Sequence, residues 1–278
     1  MELFNQHSGL WLLGLATALL ATGLVAGVLA GLLGVGGGIV IVPVLYHLFT
    51  LLGVDESVRM HAAVGTSLAT IIPTSILSSR AHRKRGSLDM ALIQRLMPSV
   101  IVGVIVGSVA SRFLSGASLT AVFACMALLV ALNMAFKRDG FALRDGLPGP
   151  VGTALLGSGI GGVSTLMGIG GGTLSVPILN ALRVPMHTAV GTGAMLGMVI
   201  SVPGAIAFMV NGMDVPLRPP FSVGYVNLLG MALIVPMTML TTGWGAQLAH
   251  RTDARLLRRL FAAFLALTAL RMFVGLLA

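Results

Sequence analysis

The sequence predicts an all-α protein: a polytopic bundle of membrane helices made of two inverted repeats, each with a helical hairpin broken by glycines. Three observations predict it, namely an apolar composition, a series of long apolar runs and an internal repeat. Of the 278 residues, 56% are hydrophobic and only 9% are charged, whereas soluble domains carry about 25% charged residues. One soluble core cannot bury that much apolar surface, so the bilayer is the expected solvent.

Apolar runs follow one another along nearly the whole chain. Two of them, 39–54 and 173–182, come after glycine breaks and are shorter than the roughly 20 residues that a spanning helix needs. We expect these two to be half-helices or re-entrant pieces, which gives eight to ten membrane segments in total. The other runs are 10–33, 61–79, 96–114, 118–136, 150–167, 188–210, 222–248 and 256–277.

Basic loops predict the orientation. If each glycine break is the tip of a hairpin, the basic stretches 80–95, 138–149 and 251–259 fall on one side, which is then cytoplasmic. If each broken pair crossed only once, the last stretch would lie opposite the other two. The chain then divides into a first half (1–137), a cytoplasmic linker (138–149) and a second half (150–278). The net charge of +9 is explained by these loops and does not indicate nucleic acid.

An internal repeat relates the two halves. The stretch 34–45 reads GVGGGIVIVPVL and the stretch 168–179 reads GIGGGTLSVPIL. Further along, HAAVGT at 61–66 matches HTAVGT at 187–192. In the hairpin interpretation the first half starts outside and the second half starts inside, so the repeats are inverted. Inverted repeats are typical of transporters whose substrate site lies at the repeat interface, near the middle of the membrane.

The glycine triplets can expose backbone donors. Glycine inside a helix costs about 1 kcal/mol relative to alanine, and unpaired amides in lipid cost several kcal/mol each. Such breaks therefore line a cavity or pack within protein. The helix that follows each break presents free N–H groups and the positive end of its dipole, which suit an anion. The alternative is glycine used for tight helix crossing, which we expect of Gly103 and Gly107.

The positions of the polar and ionisable residues also favour an anionic or neutral solute. Every carboxylate falls in a terminus or a loop, whereas many cation and proton pumps use carboxylates buried in the membrane; the solute is therefore expected to be anionic or neutral. His61 and His187 each begin an apolar run and titrate near neutral pH, so they either hold the anion or bond a neighbouring loop. The hydroxyls available inside are those of Thr66, Ser67, Thr70, Thr74 and Ser75 in the first half and of Thr192 and Ser201 in the second.

The paired G-x-G-G-G-x-x-x-x-P motifs, each followed by a segment with A-V-G-T, resemble the TauE/SafE sulfite exporter family over essentially the whole chain. The resemblance implies a permease that moves sulfite, sulfonates or other sulfur-containing anions by secondary transport in the bacterial inner membrane, usually with about eight transmembrane helices. It also carries over the motif glycines and prolines, and the glycine and threonine of each A-V-G-T segment, as functional positions.

The expected function is therefore a secondary transporter, an exporter, that moves sulfite or a related organosulfur oxyanion by alternating access. No cofactor, metal or nucleic acid is expected; a proton or sodium ion as coupling ion and a homodimer both stay open. The alternatives are a non-transporting assembly subunit and an intramembrane enzyme, although no H-E-x-x-H or G-x-S-x-G motif is present. The candidate substrate-binding residues are Gly36, Gly37, Gly38, Pro43, His61, Gly65, Thr66, Ser67, Gly170, Gly171, Gly172, Pro177, His187, Gly191 and Thr192.

Overall fold

The computed structural model describes residues 9–33, 36–136, 145–248 and 254–277, and most of the linker predicted at 138–149 lies outside these ranges. Within them the chain forms ten helices and one short β-hairpin. The helices are α1 Gly9–Leu33, α2 Gly38–Leu51, α3 Glu56–Lys84, α4 Met90–Phe113, α5 Gly116–Phe136, α6 Pro150–Met167, α7 Gly172–Ala181, α8 Met186–Asn211, α9 Leu228–Leu248 and α10 Ala254–Leu277. The strands are β1 Ser222–Val223 and β2 Val226–Asn227.

The described helices confirm a polytopic membrane protein. By length and composition, α1, α3, α4, α5, α8 and α9 can each cross a bilayer, while α2 and the later part of α10 are shorter apolar helices. Their surfaces agree with this. On α4 the side chains of Ile105, Val106 and Phe113 are exposed, whereas Gly103 and Gly107 on the same helix are buried. Large apolar side chains on the outside are expected where the surrounding solvent is lipid.

Polar caps set where two of the long helices begin. The carboxylate of Asp55 accepts a hydrogen bond from the Ser57 amide at 2.9 Å, at the start of α3. The carboxylate of Asp89 does the same for the Leu92 amide at 2.9 Å, at the start of α4. Each cap satisfies an amide that has no partner within the helix. Both carboxylates thus lie at helix ends and not within the membrane-spanning parts.

The first glycine break reverses the chain. The space around a glycine can be described by the atoms that a methyl group on its Cα would meet. On Gly37 that methyl group would lie 3.2 Å from the Cβ of Ala26, in the second half of α1. Leu19, nearer the start of α1, lines the same cavity as Leu45 and Phe49, which lie toward the end of α2. The two helices therefore run antiparallel, as the hairpin interpretation requires. Gly37 has a φ of 75°, a conformation that glycine adopts without steric cost.

The second glycine break also reverses the chain. Just before α6, the Gly146 amide donates a hydrogen bond at 3.1 Å to the carbonyl of Leu182, just after α7. Asp145 and Arg183 form an ion pair at 2.9 Å beside it. The start of α6 is thus next to the end of α7. With 10 residues, α7 is about 15 Å long and covers about half of a hydrocarbon core of about 30 Å, so it is the half-helix predicted at 173–182.

Helices of the two halves pair across the molecule. A methyl group on Gly23 would lie 2.6 Å from the Ile234 carbonyl oxygen, and one on Gly27 would lie 2.6 Å from the Thr238 carbonyl oxygen. Residue numbers rise together on both sides of this contact, so α1 and α9 run parallel. Their backbones approach as closely as small residues permit.

The reciprocal pair, α4 and α6, packs in the same way. A methyl group on Gly103 would lie 2.1 Å from the Ser158 carbonyl oxygen, and one on Gly107 would lie 2.7 Å from the Gly162 carbonyl oxygen. These helices are also parallel. Gly103 and Gly107 therefore serve tight helix crossing, as the sequence predicts.

The central crossing repeats the same exchange. The long helices α3 and α8 pack against each other, and α5 packs against α10. Gly65 of α3 contacts Phe208 of α8, and Gly191 of α8 contacts His82 of α3. The repeat that aligns Gly65 with Gly191 also aligns His82 with Phe208. The two contacts are therefore equivalent: each joins the glycine of one copy to the later position of the other copy. The halves therefore do not form separate bundles, and the inversion of one repeat relative to the other stays a prediction.

The run predicted over 222–248 is not one helix. Ser222 pairs with Asn227 in an antiparallel β-hairpin, and α9 starts only at Leu228. Gly224 takes the first turn position with a φ of 56°, which tight two-residue hairpin turns favour. A methyl group there would lie 1.8 Å from the Met209 carbonyl oxygen. The hairpin is thus pressed against the end of α8, which hydropathy alone does not reveal.

Candidate functional site at the glycine breaks

The two glycine breaks touch each other in the interior of the protein. A methyl group on Gly36 would lie 3.4 Å from the Cα of Gly170, and one on Gly38 would lie 2.5 Å from the carbonyl oxygen of Gly168. All these glycines are buried. The breaks are therefore enclosed by protein and do not face lipid, which unpaired backbone groups in a membrane require. The first two residues of the first motif, at 34–35, lie outside the described residues.

The first break is packed shut. A methyl group on Gly38 would lie 2.7 Å from a terminal carbon of the Ile71 side chain, and one on Gly37 would lie 2.9 Å from the carbonyl oxygen of Ala26. Isoleucine and alanine offer no side-chain hydrogen bond to a solute. The expectation that both breaks line a polar hollow is therefore not met here, because an apolar side chain and the neighbouring helix fill the space.

The second break faces two glycines of α8. A methyl group on Gly193 would lie 2.8 Å from the Cα of Gly172, and one on Gly197 would lie 3.7 Å from the backbone nitrogen of Gly171. Gly193 and Gly197 are one helical turn apart, so they present one bare backbone face. At these two positions α8 contributes no side chain, whereas Leu196 places its Cβ 2.9 Å from where a methyl group on Gly171 would be.

Four buried hydroxyls without a hydrogen-bond partner among the described residues belong to this region: those of Ser75, Thr173, Ser175 and Thr192. None of these residues is more than 4% exposed. The Ser75 oxygen lies 2.7 Å from where a methyl group on Gly197 would be, and the Ser175 oxygen lies 3.0 Å from where a methyl group on Gly193 would be. An unpaired buried hydroxyl costs about 1–3 kcal/mol, so the group is expensive unless a ligand binds it.

The beginning of α7 adds backbone donors to the same place. Its first full-turn hydrogen bond runs from the Ser175 amide to the Gly171 carbonyl oxygen at 2.9 Å. The amides of Gly172 and Leu174 precede that bond and carry the positive end of the helix dipole. Hydroxyls and free amides together can donate several hydrogen bonds to one oxyanion.

Thr66 and Ser67 have structural partners. The Asn227 amide donates to the Thr66 hydroxyl oxygen at 2.8 Å, and the Ser67 hydroxyl donates to the Gly168 carbonyl oxygen at 2.7 Å. Thr66 therefore holds the β-hairpin, and Ser67 satisfies a carbonyl at the edge of the second break. Of the two, only Ser67 contacts the breaks.

We expect the Thr66→Val variant to be less stable than the wild type by about 1–3 kcal/mol, because it leaves the buried Asn227 amide without an acceptor. The thermal unfolding of the purified protein in detergent would measure the loss. Thr66→Ser keeps the hydroxyl and is the matched control. Equal melting temperatures for Thr66→Val and the wild type would mean that this hydrogen bond does not hold the hairpin.

The two histidines are not placed alike. The His61 ring is buried, stacks on Tyr225 with ring centroids 4.9 Å apart, and places Nε2 3.1 Å from the carbonyl oxygen of Ser111. His187 is exposed at the start of α8. Ser75 lies fourteen residues beyond His61, about 20 Å along α3. His61 therefore belongs to the packing at one end of the molecule, and the paired role expected of the histidines finds no support in these contacts.

Gly65 and Gly191 serve close packing. A methyl group on Gly65 would lie 2.7 Å from the Tyr225 carbonyl oxygen, and one on Gly191 would lie 2.3 Å from the Ser87 carbonyl oxygen. A side chain at either position would push a backbone segment away. These two glycines therefore allow the turn of the β-hairpin and the loop after α3 to approach the helices closely.

Pro43 and Pro177 occupy matching positions inside α2 and α7. Proline has no amide hydrogen, so each one leaves the carbonyl four residues earlier without its usual partner. In α7 that carbonyl belongs to Thr173, whose hydroxyl is already among the unpaired ones. The proline thus adds an acceptor to the polar region at the second break.

Sequence reasoning placed Ser75 among the interior hydroxyls but did not select it, or Thr173, Ser175, Gly193 and Gly197, as candidate binding residues. A signal existed for two of them. Aligning the repeats places Thr173 and Ser175 where the first half has isoleucine, so the second copy is polar at positions where the first is apolar. The two α8 glycines carried no comparable signal among the 37 glycines of the chain.

The chain is similar to membrane transporter proteins over most of its length. The family model "Sulfite exporter TauE/SafE" matches residues 19–272. A probable membrane transporter protein of Haemophilus influenzae is 34% identical over 257 residues, which is 92% of this chain and 97% of the relative. One of Methanocaldococcus jannaschii is 26% identical over 258 residues, 91% of this chain and 94% of the relative. The probable membrane transporter protein YunE of Bacillus subtilis is 29% identical over 213 residues, 70% and 78% of the two chains. No solved structure matches.

Proposed function

The chain belongs to the TauE/SafE sulfite exporter family, and on that premise we propose that it exports a small sulfur oxyanion, sulfite in one of its protonation states, by alternating access. It is a multi-pass membrane transporter of the bacterial inner membrane and not an enzyme. The substrate, its direction and the transport cycle are the proposed part. The bound oxyanion lies at the second glycine break.

One observation carries this proposal: the unpaired hydroxyls of Ser75 and Ser175 and the free amides at the start of α7 lie beside two glycines of α8, and the neighbouring residues Thr173 and Thr192 carry further unpaired hydroxyls. An oxyanion accepts several hydrogen bonds at once, and bonds to a charged partner contribute about 1.5–3 kcal/mol each. Hydroxyls that stay unpaired in the empty protein gain those bonds when the anion binds. The free energy lost by burying unpaired hydroxyls is then recovered only when the anion binds.

Access to the site requires movement. The two breaks contact each other through the backbone at Gly36 and Gly170, and Ile71 covers Gly38. Release of the anion on either side therefore needs these segments to separate. We propose that α2 and α7, the short arms of the two hairpins, move relative to α3 and α8, because their beginnings are unwound glycine segments.

The test is efflux of radiolabelled sulfite from proteoliposomes that contain the purified protein. Wild-type protein should release sulfite faster than protein-free liposomes. Thr192→Val and Ser175→Ala should each slow the efflux at least about tenfold, since one lost bond to an anion is about 1.5–3 kcal/mol and 1.4 kcal/mol is a factor of ten. Because both hydroxyls are unpaired, neither substitution should lower the melting temperature of the empty protein.

Thr120→Val is the matched control. The Thr120 hydroxyl is also buried, but it donates to the Gly116 carbonyl oxygen of its own helix at 2.8 Å, and α5 does not take part in the breaks. This variant should transport at the wild-type rate. Sulfite efflux no faster than from protein-free liposomes, or equal efflux from the wild type, Thr192→Val and Ser175→Ala, would contradict the proposed site.

A further inference from the structure

The three segments that form the proposed site, 71–75, 170–177 and 192–197, contain no charged residue. Their hydroxyls are neutral, and the helix N-terminus contributes only about half an elementary charge. The groups nearest to where methyl groups on the facing glycines would be are backbone atoms, aliphatic side chains and the hydroxyls of Ser75 and Ser175. No lysine, arginine or histidine is among them.

The titratable side chain of His82 lies in the neighbourhood. His82 is two turns beyond Ser75 on α3, and its Cβ lies 3.5 Å from where a methyl group on Gly191 would be. Gly191 directly precedes Thr192. His82 therefore reaches the side of the region next to Thr192, about 10 Å along the helix from Ser75.

The absence of a counter-charge limits the charge of the ligand. Moving an ion of unit charge from water into a medium of low dielectric costs of order 20 kcal/mol in the idealised Born picture, and that cost grows with the square of the charge. Neutral donors can offset the desolvation of one charge when several converge. A divalent ion of similar size faces a cost about four times as large with the same donors.

The hydroxyls are also suited to a ligand that is itself protonated. A serine or threonine hydroxyl both donates and accepts hydrogen bonds. The carbonyl freed by Pro177 adds a further acceptor. A hydrogen oxyanion can thus donate its own O–H within the site while its other oxygens accept from hydroxyls and amides.

We propose that this site carries monovalent oxyanions, hydrogen sulfite or an organosulfonate, and excludes the divalent ions sulfite, sulfate and thiosulfate. The inference rests on the proposed function, since it concerns the charge of the ion bound at the same site. Hydrogen sulfite and sulfite exchange a proton near neutral pH. At a constant total concentration the carried species therefore becomes more abundant as the pH falls.

The experiment is counterflow of radiolabelled sulfite in proteoliposomes, with protein-free liposomes subtracted at each pH. Unlabelled methanesulfonate, always monovalent, and unlabelled sulfate, always divalent near neutrality, are the competitors. Methanesulfonate should inhibit at slightly acidic and slightly alkaline pH. Sulfate should inhibit at least about tenfold less well, the ratio that 1.4 kcal/mol of differential binding produces. Sulfite flux should fall as the pH rises, in proportion to the hydrogen sulfite fraction.

His82→Gln separates the charge of the substrate from that of the protein. If protonation of the substrate causes the pH dependence of the flux, His82→Gln should show the same dependence as the wild type. If the dependence disappears in the variant, its cause is His82 and the inference is overturned. Equal inhibition by sulfate and methanesulfonate, or sulfite flux that rises with pH, also overturns it while leaving sulfite transport intact. No protein-dependent sulfite flux at any pH would instead remove the proposed function and this inference together.

Discussion

A single methyl group at Gly197 should reduce sulfite flux at least about tenfold while the protein still folds. In Gly197→Ala the methyl group would lie 2.7 Å from the Ser75 hydroxyl oxygen and 3.7 Å from the Gly171 nitrogen. It therefore occupies the space between a hydroxyl and an amide that we assign to the anion. The nearest atom is the end of a rotatable side chain, so the fold can adapt by turning Ser75.

Gly204→Ala on the same helix is the control. Its methyl group would lie 3.2 Å from the end of the flexible Leu68 side chain, away from the unpaired hydroxyls, so flux should stay near the wild-type value. Proteoliposome efflux and thermal unfolding should be measured on the same preparations. If Gly197→Ala transports like Gly204→Ala at equal stability, the face of α8 at the second break is not the binding surface.

The largest effect on folding is expected from Gly161→Val. Any side chain at Gly161 would place its Cβ 2.1 Å from the Val100 carbonyl oxygen and 3.1 Å from the Val104 backbone nitrogen. Backbone atoms cannot turn aside as a side chain can, so α4 and α6 would have to separate. Overpacking costs typically 1–3 kcal/mol or more, and the total stability of a protein is about 5–15 kcal/mol.

We therefore expect Gly161→Val to reach the membrane at low yield and to elute as aggregates from size-exclusion chromatography in detergent. Gly159→Val, two residues earlier on the same helix, meets nothing within 4 Å and should elute as the wild type does. The pair compares the same substitution in the same helix. A monodisperse Gly161→Val protein with a wild-type melting temperature would mean that the close approach of α4 and α6 is wrong.

The sequence was sufficient for those parts of the fold that depend on short stretches of chain. Hydropathy and run length predicted the membrane helices, and the short run at 173–182 became the half-helix α7. These features depend only on the length and hydrophobic pattern of contiguous stretches, because a bilayer favours apolar helices of spanning length. The tight helix crossing expected of Gly103 and Gly107 is also found in the structure.

The sequence was less informative about the site. Duplicated motifs predict two equivalent breaks, yet Ile71 fills one of them and glycines of α8 face the other. Thr66 belongs to the repeated A-V-G-T segment, yet its hydroxyl accepts a hydrogen bond from the β-hairpin. The repeated motifs show that the two segments share a common ancestor. Each motif packs against residues of the other half, and those residues differ between the two copies. The asymmetry between the breaks therefore arises outside the motifs.

By itself the sequence determined that this is a membrane transporter of duplicated, glycine-broken helices, because composition, periodicity and motif content are properties of contiguous residues. Only the tertiary structure decided which break lies beside unpaired buried hydroxyls. That depends on contacts between residues far apart in the chain, such as Ser75 with Gly197 and Gly172 with Gly193. Whether a buried hydroxyl finds a partner depends on atomic positions in the packed bundle, and no local pattern encodes them.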